Sequence, residues 1–495
     1  THILSAIVID DKGAKTKAIS IEITVIASTG ETSEFAGGTG VEGDPFLVEN
    51  ARQLDLVRKY PKSFFKQIAD IDLSDFLSGN EIGWVPIGES YIGDSEFVGA
   101  FQGTYDGNYK KITNLRIDLP NSGFVGLFGF VCQSTVKNLT IESAQIKGKI
   151  SDDAIDNTMI FSHEGIGILI GGAGNGIEVN NCHVSGSVYG AIAGALIGRC
   201  STEEASVNIS VQNSTSNATV NGPSNSVVGG LIGILTGSVF RCSSSGIING
   251  GNAGGLIGTA SNGMVTQTAG STVVSESFSD ADVTGSNWAG GLIGALDYCS
   301  LTSSYAKGKV VGGSAGGLVG SSGFNSSNIS SCYSAGSVEG SMNTGGLVGD
   351  NSGPISYSYS SSTVNTTGDY SGGLVGCNSG TISDSYSTGS VSGNNYVGGF
   401  CGRSYPSGYL FRCHSIGIVS GGVNQPNIGG FCGKIFEDWQ IVYDCFWDIE
   451  KSGMGYSNGG LGLTTENMKK QASFVNWDFD IIWQIKDTAE HPILR

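Results

Sequence analysis

Residues 371–393 read SGGLVGCNSGTISDSYSTGSVSG. The fold follows from how often the two phrases inside this stretch return. The first phrase, GG-(L/F)-(I/V/C)-G, is GGLIG at Gly229, Gly254 and Gly290. It is GGLVG at Gly316, Gly345 and Gly372, then GGFCG at Gly398 and Gly429. Weaker forms stand earlier: VGLFG at Val125, GILIG at Gly167 and GALIG at Gly194. From Gly290 onward the steps are 26, 29, 27, 26 and 31 residues. Each copy is followed by a second phrase close to S-Y-S-x-G-x-V-x-G, as in Ser304–Gly312, Cys332–Gly340, Ser385–Gly393 and Cys413–Gly421.

A fixed period of this kind is the signature of a repeat architecture. Helical repeats need helix formers, which are scarce here, and a propeller blade needs about 40 residues. Strand-type segments at a period near 27 predict an all-β fold, a parallel β-helix (β-solenoid) with one coil per repeat. One coil cannot bury its own apolar face. Stacked coils bury a continuous core and satisfy each other's backbone groups. Eleven coils at roughly 4.8 Å spacing would make a rod of about 50 Å. The glycines are expected where the chain turns with positive φ or where coils approach closely. Two steps are longer, 42 residues from Val125 to Gly167 and 36 from Gly254 to Gly290. They predict projecting loops near 149–161 and 262–272.

Composition agrees. The 495 residues include 79 Gly but only 9 Pro, which excludes collagen and Pro-rich linkers. Charged residues make up 14% and apolar ones 39%, which suits many short strands around a core. A net charge of −18 argues against nucleic acid and against electrostatic docking on anionic lipid. No apolar run approaches the roughly 18–20 residues of a membrane span. The chain starts at Thr1 and is read as a mature or trimmed piece. The 11 cysteines are odd in number and form no CxxC pattern, so zinc and attached haem have no support.

Four segments result: 1–36, an N-terminal hairpin or linker; 37–125, an N-terminal cap and first coils; 126–450, the repeat solenoid; and 451–495, a C-terminal cap. An open solenoid end is a sheet edge and must be covered. Asn50–Tyr60 (NARQLDLVRKY) is the clearest helical stretch and is read as the N-terminal cap. Thr464–Lys470 predicts a short helix with a Thr N-cap. Phe474, Trp477, Phe479 and Trp483 follow and are expected to close the far end. In residues 1–30, Ile3–Asp10 and Lys17–Ile26 read as strands around a D-D-K-G turn.

The second phrase carries an aromatic ladder. Phe278, Tyr305, Tyr333, Tyr359 and Tyr386 occupy equivalent positions, continued by His414 and Phe446. The residue two earlier is expected to share their face, and those positions hold Glu276, Ser303, Ser331, Tyr357, Asp384, Arg412 and Asp444. Charges would not point into a thin apolar core, so the aromatics are placed outward. Such a strip could bind a sugar chain by ring stacking, or be a self-stacking ladder that stiffens the sheet. The opposite phase is small: Cys182, Cys242, Ser277, Ser304, Cys332, Ser358, Ser385, Cys413 and Cys445. Cys413 with Cys445 and Cys401 with Cys432 should stack on adjacent coils. Coil spacing exceeds the usual disulfide Cβ separation of roughly 3.8 Å, which favours free thiols. No His–Asp arrangement accompanies a cysteine, so no catalytic residue is assigned. Asp70, Asp72, Asp75 and Asp106, and later Glu276, Asp280 and Asp282, could do acid–base work or hold Ca²⁺, but turn and capping chemistry is the simpler reading. No other cofactor is implied. Seven sequons, at Asn138, Asn208, Asn213, Asn217, Asn325, Asn328 and Asn365, permit glycosylation.

The GGLVG…SYSTGSVSG units resemble the GLUG motif repeats of bacterial and archaeal surface proteins, a likeness covering most of 37–495. The opening GGTGVEGDPFLVENARQLDLV and the ending CFWDIEKSGMGYSNGGLGLTTENMKK resemble the ends of such solenoids. DDKGAKTKAISIEITV is similar to the last strands of bacterial Ig-like modules, which implies a larger parent protein. The resemblance implies an extracellular, cell-surface, adhesin-like binding role without catalysis, toward a glycan or a host or neighbour cell-surface protein. A second reading is a structural subunit of a filament, sheath or surface layer, self-assembled by strand addition from residues 1–30. A third is a carbohydrate-active β-helix enzyme.

Overall fold

A computed structural model gives the fold. It describes residues 34–88, 99–150, 164–200, 208–262, 272–323, 327–422, 427–436, 441–486 and 491–495, and four short strands before residue 24. The two long loops expected from the spacing, at 149–161 and 262–272, fall almost wholly outside these residues. In the N-terminal piece, His2–Leu4 pairs antiparallel with Ile21–Ile23, and Ile7–Ile9 with Lys15–Lys17; the D-D-K-G stretch lies outside the described residues.

Each repeat is one coil of a parallel β-helix. The strand that begins inside the GG-L-x-G phrase pairs in register with its equivalent in the next coil: Ile293 with Val319, Val319 with Val348, Val348 with Val375, Val375 with Cys401. Eleven such strands, from Phe128–Val131 to Cys432–Ile435, form one parallel sheet. The second phrase stacks in the same manner on the other side of the coil, where Val310, Val338, Val364 and Val391 pair in sequence. The core is a set of columns. Leu231, Leu256, Leu292, Leu318, Leu347, Leu374, Phe400 and Phe431 are fully buried. At roughly 1.5–3 kcal/mol per buried side chain, such columns supply the main favourable contribution.

The two phrases touch across the thin coil. Ser244 Oγ donates to the Gly255 carbonyl at 2.6 Å, Ser387 Oγ to Gly399 at 2.6 Å and Ser415 Oγ to Gly430 at 2.8 Å. In these coils the second glycine of GG therefore faces the serine that follows the ladder position. A Cβ built on Gly346 would overlap the Gly373 carbonyl of the next coil and the Ser360 hydroxyl. Of the two expected roles for repeat glycines, close approach applies at this pair.

Positive φ occurs at other glycines, among them Gly176, Gly237 and Gly246, and at the coil corners on non-glycine residues. Asn181, Asn213, Arg241, Glu276, Ser303, Ser331, Tyr357, Asp384, Arg412 and Asp444 all adopt left-handed φ of 47–56°. They form a corner in ten successive coils. This corrects the expectation that the residue two before each aromatic shares its face, because alternation holds only within a strand and the corner breaks it. A left-handed corner costs a non-Gly residue roughly 1–2 kcal/mol. The small residue just after the corner offsets this. Ser277 Oγ donates to the Ser275 carbonyl at 2.8 Å and accepts from the Cys242 N–H of the preceding coil at 3.1 Å. Ser358 and Ser385 repeat both bonds. Cysteine does the same work: Cys332 Sγ donates to the Ser330 carbonyl at 3.2 Å, and Cys445 Sγ accepts from the Cys413 N–H at 3.4 Å. All eleven cysteines are buried free thiols. Cys401 and Cys432 are register partners, as expected.

The N-terminal helix is Ala51–Leu56, capped by Asn50, whose side chain accepts from the Gln53 N–H. Leu54 and Val57 enter the same apolar cluster as Val48 and Phe65 of the first rungs. At the other end Leu461–Leu463 adds a last parallel rung to Phe446–Asp448. Asp448 is fully buried, caps the helix Ile449–Ser452, and accepts the Thr465 hydroxyl at 2.8 and 2.9 Å. Helix Thr465–Met468 has the expected Thr464 cap. The aromatic tail then departs from expectation. Phe474, Trp477, Phe479 and Trp483 cluster with Tyr386 and Phe446 and lie over the ladder, instead of plugging the coil end.

Candidate functional site

The ladder is a continuous column across the equivalent strands of successive coils. Phe278, Tyr305, Tyr333, Tyr359, Tyr386, His414 and Phe446 are successive register partners. Ring centroids from Phe278 to Tyr386 are 4.8–5.0 Å apart with interplanar angles of 4–10°. His414 continues the stack on Tyr386 at 5.1 Å and 13°. Toward the N-terminus the same column holds Ser243, Thr215, His183 and Thr140. The ring run therefore begins abruptly at Phe278.

The rings point outward, but they are not equally open. Phe278, Tyr305, Tyr333 and Tyr359 are half-buried. Tyr386 (7% exposed), Phe446 (5%) and His414 (0%) lie beneath the C-terminal tail, so Tyr386 is withdrawn from the open strip expected from the sequence. Tyr305, Tyr333, Tyr359 and Tyr386 each have a stacked ring on both sides, so both of their faces are taken. A sugar stacked flat on a ring face, one of the sequence expectations, meets faces that are already covered. Burial raises the phenol pKa of Tyr305 and Tyr359, and that of Tyr386 further under the tail.

The tail packs on the covered rungs by edge contacts. Phe474 meets Phe446 at 5.0 Å and 76°, and Trp483 meets His414 at 5.6 Å and 60°. Edge-to-face pairs contribute about 0.5–1.5 kcal/mol each beyond area burial. Three polar contacts pin the tail. Trp477 Nε1 donates to the Asp444 carbonyl at 2.9 Å, Asn476 Nδ2 to Asp444 Oδ2 at 3.1 Å, and His414 Nε2 faces His491 Nδ1 at 3.1 Å. The aromatic composition of the tail was legible in the sequence. Its place over the ladder had no local signal.

Beside the ladder, the corner column carries bonds between coils. Arg412 grips Asp384 through two bonds of 2.7 Å, and Arg241 meets Glu276 at 2.8 Å. A polar cluster that sequence reasoning missed lies on the sheet of the GG-L-x-G strands. Asp350, Cys377 and Arg403 are register partners. The Arg403 guanidinium sits 3.9 Å from the Tyr370 ring centre and 4.4 Å from that of Tyr405. Burial raises the Asp350 carboxyl and pushes the Cys377 thiol up to about 11. Its signal in sequence was faint: Tyr370 and Tyr396 recur two residues before GG in adjacent coils and stack at 5.0 Å.

The acidic candidates are engaged in turns and ion pairs. Asp72 Oδ1 accepts the Ser74 N–H and Asn114 Nδ2, Asp106 Oδ1 accepts the Asn108 N–H, and Asp70 and Asp282 accept the N–H groups of Lys111 and Lys309. Glu276 pairs with Arg241, while Asp75 and Asp280 are exposed. Among the described residues no three His, Cys, Asp or Glu side chains gather as a cation site. A polar cleft of about 340 Å³ near the N-terminal end is lined by Ser74, Ser78, Asn114, Arg116 and Gln145. Burial pushes Cys182, Cys200, Cys242 and Cys332 up to about 12, far from a reactive thiolate. Of the sequons, Asn208, Asn213, Asn217 and Asn365 are exposed. Asn138 and Asn328 are half-buried, and the Asn138 amide is committed to Asp106 at 3.1 Å. Asn325 lies outside the described residues.

Among the described residues no helix is long and apolar enough to cross a membrane. A Gly-rich membrane protein of Evansella cellulosilytica is 35% identical over 114 residues, which is 22% of this chain and 12% of that protein's length. The crystal structure of an immunoglobulin A1 protease from Bacteroides ovatus is 16% identical, with 93% of this chain and 95% of that one covered and a TM-score of 0.33. A second IgA1 protease structure is 18% identical over 72% of this chain and 23% of that one, with a TM-score of 0.39. Neither score is high enough to transfer an activity. The family described as the GLUG motif matches residues 367–392. The chain therefore carries the GLUG motif, and in this protein that motif is one coil of a parallel β-helix.

Proposed function

We propose that this chain is an extracellular, cell-surface binding protein without catalysis, and that its contact surface is the strip of ring edges from Phe278 to Tyr359. One observation carries the reading. Four half-buried aromatic side chains occupy one outward column in successive coils; the tail packs against Tyr359 at one end of the run and leaves Phe278, Tyr305 and Tyr333 without that cover. An uncovered run of aromatic edges and hydroxyls is the composition of a recognition surface. The buried, raised thiols and the turn-bound carboxylates leave little chemistry for an enzyme. The net charge of −18 favours solubility outside the cell, and four exposed sequons are compatible with that compartment.

The test is binding of the labelled chain to a glycan array and to intact cells, beside a Tyr333→Ala/Tyr359→Ala variant of unchanged circular dichroism. The expected result is a saturable signal that the variant loses. Equal binding by the variant would remove the ladder as the contact surface.

A further inference from the structure

The chain carries its own example of what the ladder holds. Over the last rungs, the tail presents Phe474, Trp477, Phe479 and Trp483, spaced three, two and four residues apart along mostly irregular backbone. They cross the ladder rings at steep angles: Phe446 with Phe474 at 76°, His414 with Trp483 at 60°, Tyr386 with Trp483 at 53°. The positive edge of one ring is attracted to the negative face of another. A stack whose faces are closed can offer only edges, so its natural complement is a ligand that brings faces of its own. Tyr359 already touches the tail cluster, and Tyr333, Tyr305 and Phe278 continue the column at the same spacing without it. The open rungs are thus continuous with an interface that the molecule has already built. Corner residues Ser303 and Ser331 stand beside Tyr305 and Tyr333 as Asp444, which binds Trp477 and Asn476, stands beside Phe446.

We infer that the rungs Phe278, Tyr305 and Tyr333, continuing from Tyr359 at the edge of the tail, bind an extended polypeptide segment of a partner protein that bears Trp or Phe every two to four residues, docked as the chain's own tail docks on Tyr386, His414 and Phe446. This rests on the ladder being a binding surface and names its partner class. A second copy of this chain is disfavoured as the partner, because each copy's tail is engaged on its own rungs.

The probe is a synthetic peptide of residues 471–485 carrying a fluorophore, titrated into the full chain and followed by anisotropy. Saturable binding is expected, at least tenfold weaker for Tyr305→Ser/Tyr333→Ser and for a peptide with both tryptophans changed to alanine. Tyr305→Phe/Tyr333→Phe keeps the ring edges and should bind within threefold of the parent, which separates lost contact from lost folding. No saturable binding, or binding indifferent to the ladder variants, overturns the inference. Ladder-dependent binding to a glycan but not to the peptide would sink the inference and leave the binding surface standing. Sedimentation runs in parallel, and ladder-dependent self-association without peptide would reassign the strip to a second copy.

Discussion

At the residue scale the repeat is governed by space and by backbone hydrogen bonds. The second glycine of GG has no room for a methyl, because the next coil's carbonyl and a serine hydroxyl stand where Cβ would be. Overpacking of this kind costs about 1–3 kcal/mol. Gly346→Ala should therefore lower the unfolding free energy by about 3 kcal/mol in urea, whereas Gly43→Ala, with nothing within 4 Å of the new Cβ, should be close to neutral. The alternation of Ser and Cys after the corner has a similar logic. Either side chain can donate to the carbonyl two residues back and accept from the previous coil. Cys445→Ser should stay within about 1 kcal/mol of the parent, while Cys445→Val should cost about 1–3 kcal/mol by leaving the buried Cys413 N–H unpaired. If valine unfolds at the same urea concentration as serine, the thiol is only a space filler.

At the element scale the ladder and the tail form a two-part device whose contact depends on the charge of one imidazole. His414 is fully buried between Tyr386 and Phe446 and beneath Trp477, Trp483 and His491. Burial, and then the neighbouring His491, hold its pKa well below the ordinary histidine value. A base whose folded pKa is depressed binds fewer protons when docked than when released. Docking is therefore at full strength above about pH 6.5 and weakens as pH falls toward the folded value. Limited proteolysis between pH 7.5 and 4.5 should cleave the segment 464–495 progressively faster on the acid side, with release of Tyr386 and Phe446 to solvent. His414→Phe should flatten that profile, and an unchanged profile would remove His414 as its cause.

At the scale of the whole molecule, parallel in-register stacking explains the composition. Every residue sits about 4.8 Å above its equivalent in the next coil, so like charges would face each other along a column. Only 14% of residues are charged, and several that stack pair with opposite charges one coil away: Lys111 with Glu142, Lys309 with Glu339, Arg412 with Asp384. A solenoid is close to a sum of coils and nearest-neighbour interfaces. Deleting residues 345–371 joins Thr344 to Gly372, which already follows the register-equivalent Ser371, and removes one 27-residue step. That variant should fold with a single cooperative transition and a ladder shorter by Tyr359. Deleting only 345–357 should not fold, since it shifts every later column. Similar far-ultraviolet circular dichroism for the two would contradict coil-by-coil construction.

The sequence by itself determined the coil, the number of strands in the GG-L-x-G sheet, the aromatic column, the stacking of Cys401 on Cys432 and both end helices. All of these are periodic or local, and a period is visible wherever equivalent residues return at a fixed step. The tertiary structure alone decided three things. The left-handed corner falls on residues as different as Asn, Arg, Glu and Tyr, because the coils on either side impose it and no residue type announces it. Arg403 lies between Tyr370 and Tyr405 through a coil-to-coil contact with no repeated phrase. The tail runs over the ladder and leaves three rungs open, because a segment that follows the last repeat has no register, and its resting place is set by which apolar surface it can bury.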